Sequence, residues 1–316
     1  MTINKPQITN AIKAIKANIP DVEYKLDEPM KNHTSFKIGG PVRIMLFPEN
    51  AASLMAVCDL LIGYDITPLI LGNGSNLLVS DEYHEIIVLN TSKYNSISIV
   101  DSVSSNSKEY CDISVDAGAL LSKVAMFAYD NGLAGLEFAL GIPGTLGGAI
   151  VMNAGAYGIE MKDVVYSTTA FNSKDGKFTL TAAENEFSYR RSRFSETEDV
   201  VLSSILRLRF GDKARIKQDM DDLSARRRES QPLDLPSGGS AFKRPGEGYA
   251  ASLIEQVGLK GFSIGGAQVS DKHSGFIVNN GNATFNDIIA VINHVQDVVF
   301  KQLGIELEPE IKIVRI

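Results

Sequence analysis

From Phe138 to Ile159 the chain runs for 22 residues without a charged side chain, and six of them are glycine. Length alone would let such a stretch cross a bilayer. Its content argues otherwise, because Gly141, Gly144, Gly147, Gly148, Gly155 and Gly158, with Pro143, Asn153 and Tyr157, make a poor helix even where lipid demands one. A backbone stripped of bulk and charge is suited to close approach, either to other backbone in a packed core or to a bulky ligand. The functional reading is one wall around an extended ligand with a diphosphate and a flat ring system. Both readings stay open on this segment alone.

A second glycine cluster stands in PLILGNGSNLLVSD, where an apolar run meets Gly72, Gly74, Ser75 and Asn76. A strand entering a tight glycine turn is phosphate-cradle architecture, because backbone N–H groups converge on an anion only where no Cβ intervenes. The common fingerprints are absent. G-x-G-x-x-G lacks its third glycine, a strand follows instead of a helix, and no G-x-x-x-x-G-K-[ST] occurs. A plain hairpin is the equal alternative. Two uncharged loops of this kind suit a cofactor held by main-chain N–H groups rather than by lysines.

Periodicity predicts the frame around these loops. Ile8, Ile12, Ile15 and Ile19 share one face of an opening helix that Pro20 ends. VRIMLF reads as a strand, Asn50 and Gly63 bracket the helix AASLMAVCDLLI, and PLIL and LLVS complete a small α/β unit over residues 42–79. EIIVLN, SISIV, CDISVDAG, VVYSTTAF, KFTL and DVVLSSILRLRF are β-type, with a helix from Leu121 to Asp130 that stops at Gly132. The charge-dense run from Asp212 to Arg228 marks a boundary. Beyond it come a loop region, QPLDLPSGGSAFKRP, and a helix that takes in Tyr249 and ends at Gly258. Short strands around IGGAQVS and GFIVNN, a long helix from Thr284 to Gly304 and a final strand EIKIVRI, returning to the N-terminal segment, complete the chain. The expected class is α+β, divided as 1–90 with 305–316, then 91–211, then 212–304.

Three shorter motifs carry functional groups. Tyr189-Arg190-Arg191-Ser192-Arg193-Phe194 is too short and mixed for a basic tail, and an exposed strand edge is its bland reading. Gly238-Gly239-Ser240-Ala241-Phe242-Lys243-Arg244-Pro245 places a hydroxyl beside glycines and ahead of two cations, either as a solvated loop or in an anion-binding cleft. Leu307-Glu308-Pro309-Glu310 opens the terminal strand, where glutamates are ordinarily surface.

Composition narrows the function classes. A net charge of −7 argues against a mainly electrostatic hold on nucleic acid or an anionic membrane. His33, His84, His273 and His294 show no metal spacing, so no metal is expected, and the nucleophile elbow G-x-S-x-G is missing around Ser240. Cys58 and Cys111 support neither a disulfide framework nor a zinc ribbon, and a reducing cytoplasm fits best. The N-terminal residues MTINKPQITNAIKAIKANIP offer no export signal.

NHTSFKIGG, LGNGSNLLVSD, GIPGTLGGAIVMNAGAYG, YRRSRF, PSGGSAFKRP and LEPEIKIV stand in the order of the UDP-N-acetylenolpyruvoylglucosamine reductases, and the chain resembles that family from Asn32 to Val314. The resemblance implies an FAD-binding domain of the p-cresol methylhydroxylase and vanillyl-alcohol oxidase type plus a C-terminal α+β substrate domain. The FAD-binding part would be 1–90 with 305–316 and 91–211, and the substrate-binding part 212–304. It implies a cytoplasmic enzyme of peptidoglycan precursor synthesis that reduces UDP-N-acetylglucosamine enolpyruvate to UDP-N-acetylmuramate, with NADPH and substrate using one pocket in turn and no obligate protein partner. FAD is expected to be non-covalent, since no His or Cys occurs within residues 66–83 or 138–159.

By resemblance the cofactor contacts fall on Gly72, Asn73, Gly74, Ser75, Asn76 and Leu77, and on Gly141, Ile142, Pro143, Gly144, Gly147, Gly148, Asn153, Gly155 and Ala156. Arg190, Ser240 and Glu310 take the catalytic positions. Reduction adds hydride to an alkene conjugated with a carboxylate, so a dianionic enolate must be stabilised. Arg190 would pair with the carboxylate, a protonated Glu310 would donate to the same group, and Ser240 would deliver the proton. Ser240 needs positive charge nearby, from Arg190 or Lys243. The chain resembles the shorter type that lacks an inserted tyrosine loop. Tyr189, Lys243, Arg244 and Arg228 are then the candidates to contact the nucleotide sugar. The alternative is a flavin oxidase of the same fold acting on an alcohol or sugar.

Overall fold

The computed structural model describes residues 5–100, 109–246 and 248–315. The described residues within Met1–Leu26, Ile44–Asn73 and Glu85–Ala225 form one compact unit, and those within Asp27–Arg43, Gly74–His84 and Arg226–Ile316 form a second.

The first unit is built on a six-stranded sheet. Its strands run in the order Gly176–Thr181, Val165–Asn172, Val200–Phe210, Tyr110–Asp116 and Ile97–Ile99, with Leu133–Ala134 joining Val200–Phe210 off this path. Val200–Phe210 is the spine, because VVLSSILRLRF alternates apolar and polar residues over most of its length and so offers one face to a core. On that face Leu206 and Leu208 pack with Ile113, Val115 and Ala170 against the helices Leu121–Asp130 and Leu146–Val151. A second core holds the helices Lys5–Asn18 and Ala51–Ile62, with Ile8, Ile12 and Ile15 inward as the spacing predicts. Asn50 caps the latter helix by accepting from the Ser53 N–H at 2.9 Å.

The second unit has a four-stranded sheet in the order Ser237–Ser240, Phe276–Asn279, Ala267–Val269 and Ser263–Ile264. The helix Phe285–Leu303 covers it with Ile288, Val291, Ile292, Val295 and Val299, and a Thr284–Asp287 capping box starts that helix. Lys312–Val314 lies parallel to Leu77–Val79, pairing Lys312 with Leu77 and Val314 with Val79.

Four elements differ from expectation. The loop region QPLDLPSGGSAFKRP contains the strand Ser237–Ser240, whose glycines disguise it because its pairing partner lies almost forty residues on. Tyr249 stands outside the helix Ala250–Gln256 as its N-cap. The charge-dense run is the helix Lys213–Ser230, and the chain passes from one unit to the other within it. Of EIKIVRI only Lys312–Val314 is strand, and Ile316 lies outside the described residues. No helix among the described residues is long and apolar enough to cross a membrane.

Candidate active site

In the first unit the two glycine segments meet. Leu69–Leu71 runs parallel to His84–Asn90, with Leu71 opposite Asn90, and its C-terminal end delivers Gly72 and Asn73. The Asn73 side chain donates from Nδ2 to the Pro143 carbonyl at 2.6 Å. A Cβ on Gly72 would stand 2.2 Å from Thr145 Oγ1, a separation no real side chain tolerates. Thr145 is buried, and its hydroxyl has no hydrogen-bond partner among the described residues. A buried hydroxyl left unpaired costs about 1–3 kcal/mol, so a ligand atom that meets it is stabilising. A cradle open only to glycine, beside an orphaned hydroxyl, fits a cofactor with polar atoms and a close backbone approach. Thr145 is absent from the sequence-based assignment; its signal is a lone polar side chain between two glycine clusters.

Part of the glycine-rich segment serves packing instead. The Leu146 and Gly147 N–H groups donate to the Ala119 and Ala117 carbonyls, each at 2.8 Å. A Cβ on Gly147 would press on Ala117 at 3.2 Å. These two N–H groups are spent within the fold. The Asn153 side chain is fully enclosed and bonded within the fold. Nδ2 donates to Glu160 Oε2 at 2.9 Å and to the Ser188 carbonyl at 3.0 Å, and Oδ1 accepts from the Lys162 N–H at 3.0 Å.

Tyr189 and Arg190 occupy the centre of a tight turn, closed by the Ser188 N–H on the Arg191 carbonyl at 2.9 Å and the reciprocal bond at 3.2 Å. Arg190 has φ of +55°, a left-handed conformation that a non-glycine residue adopts at a cost of about 1–3 kcal/mol. This is a turn and not the open strand edge that was the bland reading. Arg190 Nη2 donates to the Gly155 carbonyl at 3.4 Å, and its guanidinium lies 5.1 Å from the Tyr189 ring centroid. Beyond the turn, Ser192 and Ser195 hydroxyls both donate to the Val151 carbonyl, at 2.9 and 2.8 Å. Arg191 and Arg193 are ion-paired with Glu196 and Asp199. The cleft of about 440 Å³ that Arg191, Arg193 and Glu196 line therefore has its cations already paired.

In the second unit Ser240 and Glu310 come together. Ser240 stands opposite Phe276, after an irregularity in the pairing that Gly239 permits with φ of +80°. Gly238 lies on the buried Phe36 ring, where a Cβ would stand 2.4 Å from Cε2. The Ser35 hydroxyl donates to the Ser237 carbonyl at 2.5 Å. The next residue, Ala241, accepts the Glu310 N–H at 2.9 Å, Phe242 bridges Pro309, and the Lys243 N–H reaches the Glu308 carbonyl at 2.9 Å. Asn76 Nδ2 holds the Glu310 carbonyl at 3.1 Å, and the Lys312 N–H returns to Asn76. The second half of the glycine turn is thus tied to Glu310. A Cβ on Gly74 would collide with the His33 carbonyl at 2.0 Å. The roles of Ser35 and Phe36, in the segment NHTSFKIGG, are invisible without these long-range contacts.

Lys243 and Arg244, which follow Ser240 closely in the chain, are both engaged. Lys243 pairs with Glu308. Arg244 packs 4.6 Å from the Tyr249 ring centroid, and the exposed Arg228 accepts Lys272 on its carbonyl. Among the described residues no group of three His, Cys, Asp or Glu side chains stands at metal-holding positions.

An FAD binding domain model matches residues 42–181, and the model of the UDP-N-acetylenolpyruvoylglucosamine reductase C-terminal domain matches residues 231–314. A UDP-N-acetylenolpyruvoylglucosamine reductase of Caldanaerobacter subterraneus subsp. tengcongensis is 47% identical over 96% of this chain and 97% of its own. Another, from Clostridium tetani, is 44% identical over 98% of this chain and 97% of its own. The crystal structure of UDP-N-acetylenolpyruvylglucosamine reductase from Thermus caldophilus superposes with a TM-score of 0.76 at 31% identity, covering 93% of this chain and 99% of that one. The chain belongs to the UDP-N-acetylenolpyruvoylglucosamine reductase family.

Proposed function

We propose that Arg190, Ser240 and Glu310 carry the chemistry of an FAD enzyme that reduces UDP-N-acetylglucosamine enolpyruvate to UDP-N-acetylmuramate with NADPH. Bound FAD supplies the hydride and is reloaded by NADPH. Arg190 orients and neutralises the enolpyruvyl carboxylate as a permanently charged fork. Glu310 hydrogen-bonds the same group, and the Ser240 hydroxyl hands a proton to the carbon on which charge develops. The observation that carries this reading is the bond from the Glu310 N–H to the carbonyl of Ala241, which sets the serine and glutamate segments side by side.

Gly72, Asn73, Gly74, Ser75, Asn76 and Leu77, with Gly141, Ile142, Pro143, Gly144, Gly147, Gly148, Gly155 and Ala156, form the cofactor wall in this proposal, joined by Thr145. Tyr189, Arg228, Lys243 and Arg244 contact the nucleotide sugar. Residues 1–90 with 305–316 and 91–211 serve the flavin, and 212–304 the substrate. NADPH and substrate alternate in one pocket of a cytoplasmic enzyme that needs neither nucleic acid, membrane nor an obligate protein partner.

The test is substrate-dependent NADPH consumption by the purified yellow protein. The enolpyruvyl nucleotide sugar is expected to drive it and to gain two hydrogens. Oxygen uptake with a simple alcohol or sugar, and none of this turnover, would favour the oxidase reading.

A further inference from the structure

The Asn153 side chain, in the first unit, links the glycine-rich segment to the Tyr189-Arg190 turn. It is fully buried, and its partners fix which way the amide faces: the Glu160 carboxylate and the Ser188 carbonyl only accept, whereas the Lys162 N–H only donates. Its φ of +41° lies in the left-handed region that asparagine tolerates better than most side chains.

The Ser188 carbonyl is the pivot of the arrangement. It accepts both the Arg191 N–H, which closes the turn, and Asn153 Nδ2. Arg190, inside that turn, reaches the carbonyl of Gly155, two residues beyond Asn153, with its Nη2. Gly155 is paired with Glu160, the second acceptor of the Asn153 amide. Both the turn that carries Arg190, through the Ser188 carbonyl, and the Arg190 guanidinium are therefore referenced to the segment 153–155.

We propose that Asn153 is a positioning residue for Arg190, holding the turn through the Ser188 carbonyl so that the left-handed arginine presents its guanidinium in one orientation. This rests on the assignment of Arg190 to the substrate carboxylate. It reassigns Asn153 from cofactor contact to alignment of a catalytic side chain. A lost hydrogen bond here displaces the turn, and misplacement on the ångström scale costs up to about a hundredfold in rate.

Asn153→Gly removes the side chain while permitting the backbone conformation. The holoenzyme variant is expected to retain FAD at the wild-type ratio, to be reduced by NADPH at the wild-type rate, and to be reoxidised by the enolpyruvyl nucleotide sugar about tenfold or more slowly. In an Arg190→Ala background, Asn153→Gly is expected to add no further slowing, because it acts only through the arginine. Full additive slowing in that background, loss of FAD, or wild-type reoxidation in Asn153→Gly while Arg190→Ala alone is slow would each overturn the proposal. Wild-type reoxidation by Arg190→Ala would instead overturn the underlying assignment of the arginine. Should Asn153→Gly not fold, Asn153→Asp is the second variant. It keeps the size and the Lys162 contact, replaces the donor facing two acceptors, and is held to the same outcomes.

Discussion

Gly72 and Thr145 face one another so closely that a methyl group on the glycine would stand 2.2 Å from the threonine hydroxyl oxygen. The contact joins the two glycine segments, and the hydroxyl it borders is buried without a partner among the described residues. Gly72→Ala must displace either the turn or Thr145, so it is expected to be isolated with little FAD, read as the flavin absorbance per chain. Thr145→Ala removes the colliding oxygen, and the double variant is expected to recover part of the lost FAD. Wild-type FAD content in Gly72→Ala would remove this segment from the cofactor site.

Ser240→Ala separates the two halves of the reaction. Flavin reduction by NADPH is expected to be unchanged, while reoxidation by substrate slows by at least about a hundredfold, the scale of a lost general acid. Stopped-flow absorbance reads both. Equal slowing of the two halves would make the serine structural.

Gly238 and Gly239 are both required, for different reasons. A Cβ at Gly238 meets the Phe36 ring at 2.4 Å, whereas at Gly239 nothing lies within 4 Å and only φ of +80° opposes a side chain. Gly238→Ala is expected to destabilise by about 1–3 kcal/mol through overpacking. Gly239→Ala is expected to cost about 1–2 kcal/mol from the backbone alone, and Phe36→Leu to rescue only Gly238→Ala. Urea unfolding midpoints of the four variants check this, and equal rescue of both glycine variants would contradict it.

Burial pushes the Cys58 thiol up to about 12 from its ordinary 9.0, with Asp59 adding to the shift. Above pH 9 the unfolded chain ionises this thiol while the folded chain keeps it protonated. Stability is therefore fully present below that pH and declines from about pH 9 to 12, by about 4 kcal/mol in all. Comparing unfolding midpoints at pH 8 and pH 10.5, wild type is expected to lose more stability than Cys58→Ala. Parallel losses would show that the thiol does not contribute.

Elements with a local cause were legible in the sequence. The helix Ala51–Ile62 follows from Asn50 and apolar spacing, and Phe285–Leu303 from Thr284, Asp287 and Gly304. The glycine segments and the short motifs around Arg190, Ser240 and Glu310 stand out in the sequence as motifs. The contacts that fix these segments within each unit were not legible, because they join residues far apart in the chain. Asn73 on Pro143, Asn76 on Glu310 and Ser35 on Ser237 leave no periodic trace. The left-handed Arg190 carries no glycine to announce it, and the strand Ser237–Ser240 hides behind glycines that ordinarily mark loops.

The decisive measurement is anaerobic: reduce the FAD-loaded protein with NADPH, remove excess nucleotide, add the enolpyruvyl nucleotide sugar and follow the flavin absorbance. The account predicts full reoxidation with formation of one UDP-N-acetylmuramate per flavin. Flavin that stays reduced in the presence of that sugar would contradict it.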